Sequence, residues 1–206
     1  VNYQNSSGNS ALILAAEKGN GPIVDILLQQ VADIDVNYQN SSGNSALILA
    51  AAFGHRLMVE KLLAVQGINI HARNNPTVVE SDNAFVKFMK NTYSYIKGLF
   101  RPAEEEVAII GMNTALVSAS IRGNAEVVRL LLLAEGEASS PRDENNRTAL
   151  MHACANGYIG VVKLLLAHSM ADLNAIDKDG KTALMYAAAG GHTGVVKLLI
   201  DKPSID

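Results

Sequence analysis

The sequence predicts an all-α solenoid of helix-turn-helix units joined by β-hairpin loops, with a helical segment inserted in the third unit. Three observations predict it. Residues Val1–Ala16 and Val36–Ala51 carry the identical string VNYQNSSGNSALILAA. A Ser or Thr followed by Ala-Leu recurs at Ser10, Ser45, Thr114, Thr148 and Thr182, at spacings of 35, 69, 34 and 34 residues. A glycine follows each anchor, at Gly19, Gly54, Gly123, Gly157 and Gly191, with the same spacings. Self-similarity at a fixed period of this size marks an architecture in which each unit packs on its neighbours.

Every unit is built in the same order. A polar stretch ends in a residue that tolerates positive φ (Gly8, Gly43, Asn146, Gly180). The Ser or Thr anchor then caps a short helix by accepting a backbone N–H. In the first unit that helix is alanine-rich (Ala11, Ala15, Ala16) and Gly19 ends it in a left-handed turn, before a second helix facing inward through Val24, Leu27 and Leu28. The second unit repeats this with Ser45, Gly54, Val59, Leu62 and Leu63, and the third with Thr114, Gly123, Val128, Leu131 and Leu132. The fourth uses Thr148, Gly157, Val162, Leu165 and Leu166. The fifth uses Thr182, Ala183, Ala187, Ala188, Gly191, Val196, Leu199 and Ile200. Burying one Leu or Val is worth about 1.5–3 kcal/mol, most of which ordering cancels, so burial between neighbours carries the stability.

At these residues the chain resembles the ankyrin repeat family. The resemblance is clearest in the fifth unit, from Asp177-Lys-Asp-Gly180-Lys-Thr182-Ala-Leu184 through Gly191-His192 to Val195-Val196-Lys-Leu198-Leu199, and in the fourth, Asp143 to Leu166. It covers all but roughly residues 75–110. It implies one ankyrin-repeat domain over 1–206, with units at approximately 1–35, 36–69, 70–140, 141–173 and 174–206. The family's T-P-L-H appears here as Ser/Thr-Ala-Leu followed by Ile13, Ile48, Val117, Met151 or Met185. The helix starts thereby lose a proline and a histidine hydrogen bond, and single units are expected to be less stable than consensus ones. Val1 enters in mid-hairpin, and Pro203 to Asp206 stop where another hairpin would begin. With no polar capping repeat at either end, an excerpt from a longer array is expected.

The spacing of 69 is one repeat plus about 36 residues, placed between Asn74 and Gly111 at the tip of the third hairpin. Residues 75–110 hold Phe85, Phe88, Tyr93, Tyr95 and Phe100, five of the ten aromatics in the chain. At helical period Phe85, Phe88, Met89, Thr92, Ile96, Leu99 and Phe100 share one face, and Lys87, Lys90, Ser94, Lys97 and Arg101 the other. Pro102 with Glu104–Glu106 reads as the first turn of a second helix. A helical pair interrupting the stack is expected. Three roles stand open: aromatic packing onto the solenoid, a partner-binding element, or a membrane-surface or calmodulin-type amphipathic helix.

Composition excludes several functions. With 17 Lys and Arg against 20 Asp and Glu, the net charge is −3, against the cationic excess of a nucleic-acid binder. Aromatic residues are 5% with no Trp, thin equipment for stacking bases. Cys154 is the single cysteine, so no intrachain disulfide or multi-cysteine metal site is possible. Its lone presence fits a reducing compartment, and an intracellular location, cytoplasmic or nuclear, is expected. No apolar run approaches a membrane span, and no signal peptide opens the chain.

Chemistry is scarce. Ala175 to Thr182 mimics a phosphate loop ending in Gly-Lys-Thr, but Asp177 and Asp179 would repel phosphate and the frame is that of a hairpin turn. His152 takes the place of Leu14 and Leu49, and Cys154 that of Ala16 and Ala51, so both are read as packing residues. His55 and His192 follow the turn glycines, a structural position. His71 and His168 are isolated. No catalytic constellation, cofactor site or metal site is expected.

The resemblance implies a non-catalytic, monomeric scaffold that binds another protein, not a nucleic acid, through its concave surface and hairpin tips. Matching the family's variable positions onto this chain points to Lys18, Phe53, Ile121, Arg122 and Asn156 near the first-helix ends, with their neighbours Glu17, Ala52 and Ala155. Glu144, Arg147, Lys178 and Lys181 are the hairpin candidates. Leu166 to Asn174 resembles the leucine-to-asparagine spacing at which asparaginyl hydroxylase modifies such arrays. Asn174 is therefore a candidate for hydroxylation or an ordinary hairpin asparagine. The alternatives to a plain scaffold are a segment of a larger multidomain enzyme and a lipid-contacting adaptor.

Overall fold

The computed structural model describes residues 3–30, 34–74, 113–135, 140–168 and 172–202. The aromatic residues of the insertion, and the helices expected there, lie outside these. Among the described residues the helices form five pairs. They are α1 (Ala11–Glu17) with α2 (Gly21–Gln30), α3 (Ala46–Ala52) with α4 (Arg56–Leu63), and α5 (Ala115–Ile121) with α6 (Ala125–Glu135). Then come α7 (Ala149–Ala155) with α8 (Ile159–Ala167), and α9 (Ala183–Ala189) with α10 (Thr193–Ile200).

The anchors cap as the sequence predicts. Ser10, Ser45, Thr114, Thr148 and Thr182 sit in extended backbone, and each hydroxyl oxygen accepts the backbone N–H three residues on, at 3.2–3.4 Å. The lost family histidine has a weak substitute in the fourth unit, where the Thr148 N–H donates to the Met151 sulfur at 3.5 Å. The five turn glycines end the first helices with φ between 67° and 73°.

First helices pack on first helices (α1 on α3, α3 on α5, α5 on α7, α7 on α9), and second helices on second (α2 on α4, α4 on α6, α6 on α8, α8 on α10). Leu12, Leu47, Leu116 and Leu150 are buried between the layers, with Val24, Val59, Val128 and Val162. Burial depends on the neighbour. Met151 is 1% exposed under α9, whereas Met185, in the same frame of the last described unit, is 53% exposed.

Among the described residues no β-strand forms; the hairpin positions are turns, with one isolated antiparallel bridge between Arg142 and Thr148. One side chain closes each turn. The Oδ1 of Asn5, Asn40, Asp143 and Asp177 accepts the backbone N–H two and four residues on, at 2.8–3.0 Å. The third turn has the same closure with residues 75–112 placed inside it. The Asn74 N–H donates to the Asn113 carbonyl at 3.3 Å, and the Asn113 N–H donates to Asn74 Oδ1 at 2.6 Å. The insertion thus splits a turn between its closing residues. It does not interrupt the stack, contrary to expectation, since α3 lies directly on α5 and α4 on α6. Chain added at a closed turn tip displaces neither helix layer.

Candidate functional site

Each turn glycine fixes a row along one edge of the stack. The residue before it is the helix C-cap: Lys18, Phe53, Arg122 and Asn156 occupy this one position in the first four units. The residue after it reaches back to the preceding unit. His55 Nε2 meets the Glu17 carbonyl at 2.9 Å, and His192 Nε2 meets the Ala155 carbonyl at 2.9 Å. A carbonyl only accepts, so Nε2 carries the proton in both. Asn124 Nδ2 donates to the Ala51 and Ala52 carbonyls at 2.9 and 3.1 Å. These rings and amides lie where a Cβ on the glycine of the preceding unit would stand, which gives the glycines a second reason beyond φ.

The row is chemically mixed. Phe53 is 54% exposed, with its ring stacked on His55 at 6.1 Å between centroids. Lys18 is exposed and pairs with its neighbour Glu17 at 3.1 Å. Arg122 is exposed, while Ile121 is half-buried against the core. Asn156 is exposed, and its side-chain amide donates to the His152 carbonyl at 3.0 Å.

The hairpin candidates separate by burial. Lys178 is exposed and its N–H donates to the Asn145 carbonyl at 2.9 Å, while Glu144 is half-buried. Lys181 is exposed, with its ammonium 5.6 Å above the Tyr186 ring. The Arg147 side chain is only 11% exposed; it lies 3.5 Å from Asp177 Oδ2 and 5.3 Å over the same ring. Its guanidinium is committed inside the stack, so it has little left to offer a partner. Asn174 is half-buried in the turn linking the fourth and fifth units.

Sequence reasoning missed two buried pairs. Asp143 Oδ2 meets His152 Nε2 at 2.9 Å, with both side chains 4% exposed. The Tyr186 hydroxyl donates to Asp177 Oδ2 at 2.5 Å. Burial pushes both carboxyls up. The opposing bonds outweigh it, from His152 and the Arg147 and Asn145 amides for Asp143, and from Tyr186, the Lys181 and Asp179 amides and Arg147 for Asp177. Both are held below the usual carboxylate value. The signal was readable: nine residues after an Asn at the turn comes Leu14 or Leu49, but nine after an Asp comes His152 or Tyr186.

The apparent phosphate loop is closed to phosphate. Asp177 Oδ1 already takes the Asp179 and Lys181 amides, which a phosphate would need. Cys154 is fully buried and its thiol is pushed up to about 12 by that burial, which fits a packing residue and not a nucleophile. Among the described residues no three His, Cys, Asp or Glu side chains gather where they could hold a metal, and no helix is long and apolar enough to cross a membrane.

Comparison with protein families agrees with the architecture. A model of ankyrin repeats in three copies matches residues 1–74, 90–177 and 116–206. A search of curated proteins finds no match.

Proposed function

Since the chain belongs to the ankyrin-repeat family, whose fold generally serves as a non-catalytic scaffold for protein–protein interaction, we propose that it binds a protein partner along the row of first-helix ends. One observation carries this reading. Consecutive units present Phe53 and Arg122 at the same C-cap position, both exposed, on a frame fixed by the turn glycines and the latches behind them. Aromatic rings and guanidiniums held on rigid supports are the groups that dominate binding energy at interfaces. Lys18 and Asn156 extend the row on either side, and Glu144, Lys178 and Lys181 contribute from the turns. Ile121, half-buried beside Arg122, contributes its exposed part to the same row, and the chain works as a monomer with units in the frame given above.

Affinity capture with the intact chain, followed by mass spectrometry, identifies the partner. Phe53→Ala and Arg122→Ala are each expected to weaken it about 10-fold or more with an unchanged melting temperature. Equal capture by the intact chain and the double variant would falsify this placement of the surface.

A further inference from the structure

A polar cleft of about 380 Å³ opens on the turn side of the stack, away from the first-helix ends. It lies between the base of the third turn and the whole of the fourth. His71, Arg73 and Arg142 line it, with Asn146 and Thr114. Its one acidic lining group, Asp143, is buried and spent: Oδ2 on His152, Oδ1 on the amides of Asn145 and Arg147. The Arg73 side chain is exposed and forms no ion pair among the described residues; only its backbone carbonyl is engaged, by Gln39 Nε2 at 2.7 Å. Arg142 is loosely held, with Asp172 Oδ2 at 3.5 Å and the Asn146 and Ile176 carbonyls at 3.5 and 3.4 Å.

We propose that this cleft binds an acidic peptide segment of a protein partner, its carboxylates seated on Arg73 and Arg142. The inference rests on the scaffold reading and adds the chemistry of what the scaffold holds. Guanidinium forks match carboxylates in a bidentate geometry, and long, weak bonds such as those of Arg142 are readily exchanged for a shorter charge-assisted one. The cleft has room for one or two carboxylate side chains and a short stretch of extended chain. A nucleic acid fits worse. The chain carries a net charge of −3, without the cationic excess of a phosphate-backbone binder, and among the described residues no Phe, Tyr or Trp lines the cleft for a base to stack on.

The probe is a fluorescent hexaglutamate peptide, followed by anisotropy at low ionic strength with the full chain. Arg73→Glu is expected to weaken binding about 10-fold or more. Lys197→Glu, the same charge change on exposed α10, should weaken it less than about 2-fold. The proposal is overturned by absence of binding, by equal loss in the two variants, or by full displacement with an equal concentration of inorganic phosphate, which would mark a simple anion pocket. Melting temperatures of both variants exclude misfolding, and the Arg73 side chain has no hydrogen bond or ion pair to lose among the described residues. If hexaglutamate binds but the intact chain captures no partner, the scaffold reading fails alone. If capture depends on Phe53 while hexaglutamate does not bind, the cleft fails alone.

Discussion

The first two units and the last two solve the same problem with different chemistry. In both regions a side-chain oxygen closes the turn by accepting two backbone N–H groups. In the first pair it belongs to Asn5 and Asn40, and in the last pair to Asp143 and Asp177. The amide has a second group that donates, and Asn40 uses it sideways, bonding Asn9 Oδ1 of the neighbouring turn at 2.6 Å. The carboxylate has a second group that accepts, and both aspartates use it inward, toward a helix residue nine positions on. Backbone bonds link neighbouring turns in both regions, Ser41 N–H to the Ser7 carbonyl and Lys178 N–H to the Asn145 carbonyl. The closing asparagine Asn40 adds a second tie between turns, whereas the closing aspartate ties its turn to its own first helix. One atom type at one position decides whether the closing side chain spends its second group along the surface or in the core.

The largest effect expected from this difference is on stability. Asp177→Ala removes the turn closure and leaves Tyr186 and Arg147 beside a lost acceptor, at a cost of about 3 kcal/mol in urea unfolding. Asn5→Ala removes only an exposed closure and should cost about 1 kcal/mol or less. Equal losses would mean that the inward bonds contribute nothing. Asp177→Asn sharpens the contrast, since its one oxygen can close the turn only by turning the NH2 group, a donor, toward the Tyr186 hydroxyl in place of a carboxylate.

Acid should act on one region and not the other. The folded carboxyls of Asp143 and Asp177 are depressed relative to their unfolded values, so the unfolded chain takes up protons first as pH falls. Their contribution is complete above the unfolded value of about 4 and disappears as pH drops through the lower folded values. Melting temperature should fall below about pH 4 in the native chain. The fall should be shallower in Asp143→Asn/Asp177→Asn, which starts from a lower plateau at pH 7. Parallel curves for the two proteins would place the acid sensitivity elsewhere.

The turn glycines provide the control, because here the two regions agree. A Cβ on Gly19 would stand 2.7 Å from the His55 ring, and one on Gly157 2.4 Å from the His192 ring. Both positions are also at positive φ. Gly19→Ala and Gly157→Ala should each cost about 1–2 kcal/mol from φ alone, plus the displaced latch. Gly191→Ala has the same φ and no neighbour within reach, so it isolates the backbone cost. A Gly191 variant as damaging as the other two would show that the latches add nothing.

Much of this was legible in the chain because the repeats are their own alignment. Anchor, turn glycine and inward aliphatics each recur at fixed phase, and a short-range physical rule gives each its role. The Asp–His and Asp–Tyr pairs were not read because they join two elements, and because Leu14 and Leu49 at the same phase make His152 look like a packing substitution. The candidate surface was legible as positions rather than as availability. Phe53 and Arg147 both follow from the frame, yet only burial separates an exposed ring from a guanidinium enclosed by Asp177 and Tyr186.

The smallest stability effect is expected where the sequence departs most from the pattern. The third turn belongs with the asparagine group: Asn74 closes onto Asn113, and its side-chain amide donates to Asn44 Oδ1 of the second turn at 3.1 Å, as Asn40 does to Asn9. Replacing residues 75–112 with Ser-Ser-Gly recreates the sequence between Asn40 and Asn44. Because α3 already lies on α5 and α4 on α6, no helix contact has to be remade. The melting temperature should then move by no more than about 3 °C, the scale of about 1 kcal/mol for a domain of this size. Asn74→Ala in the shortened chain should cost what Asn40→Ala costs in the parent, within about 0.5 kcal/mol, if closure is the whole role of that residue. A much larger fall on deletion would mean that residues 75–112 bury surface on the stack. A rise would mean that closing a long loop on two asparagines holds the parent below its potential stability, which loop-closure entropy allows only to about 2 kcal/mol.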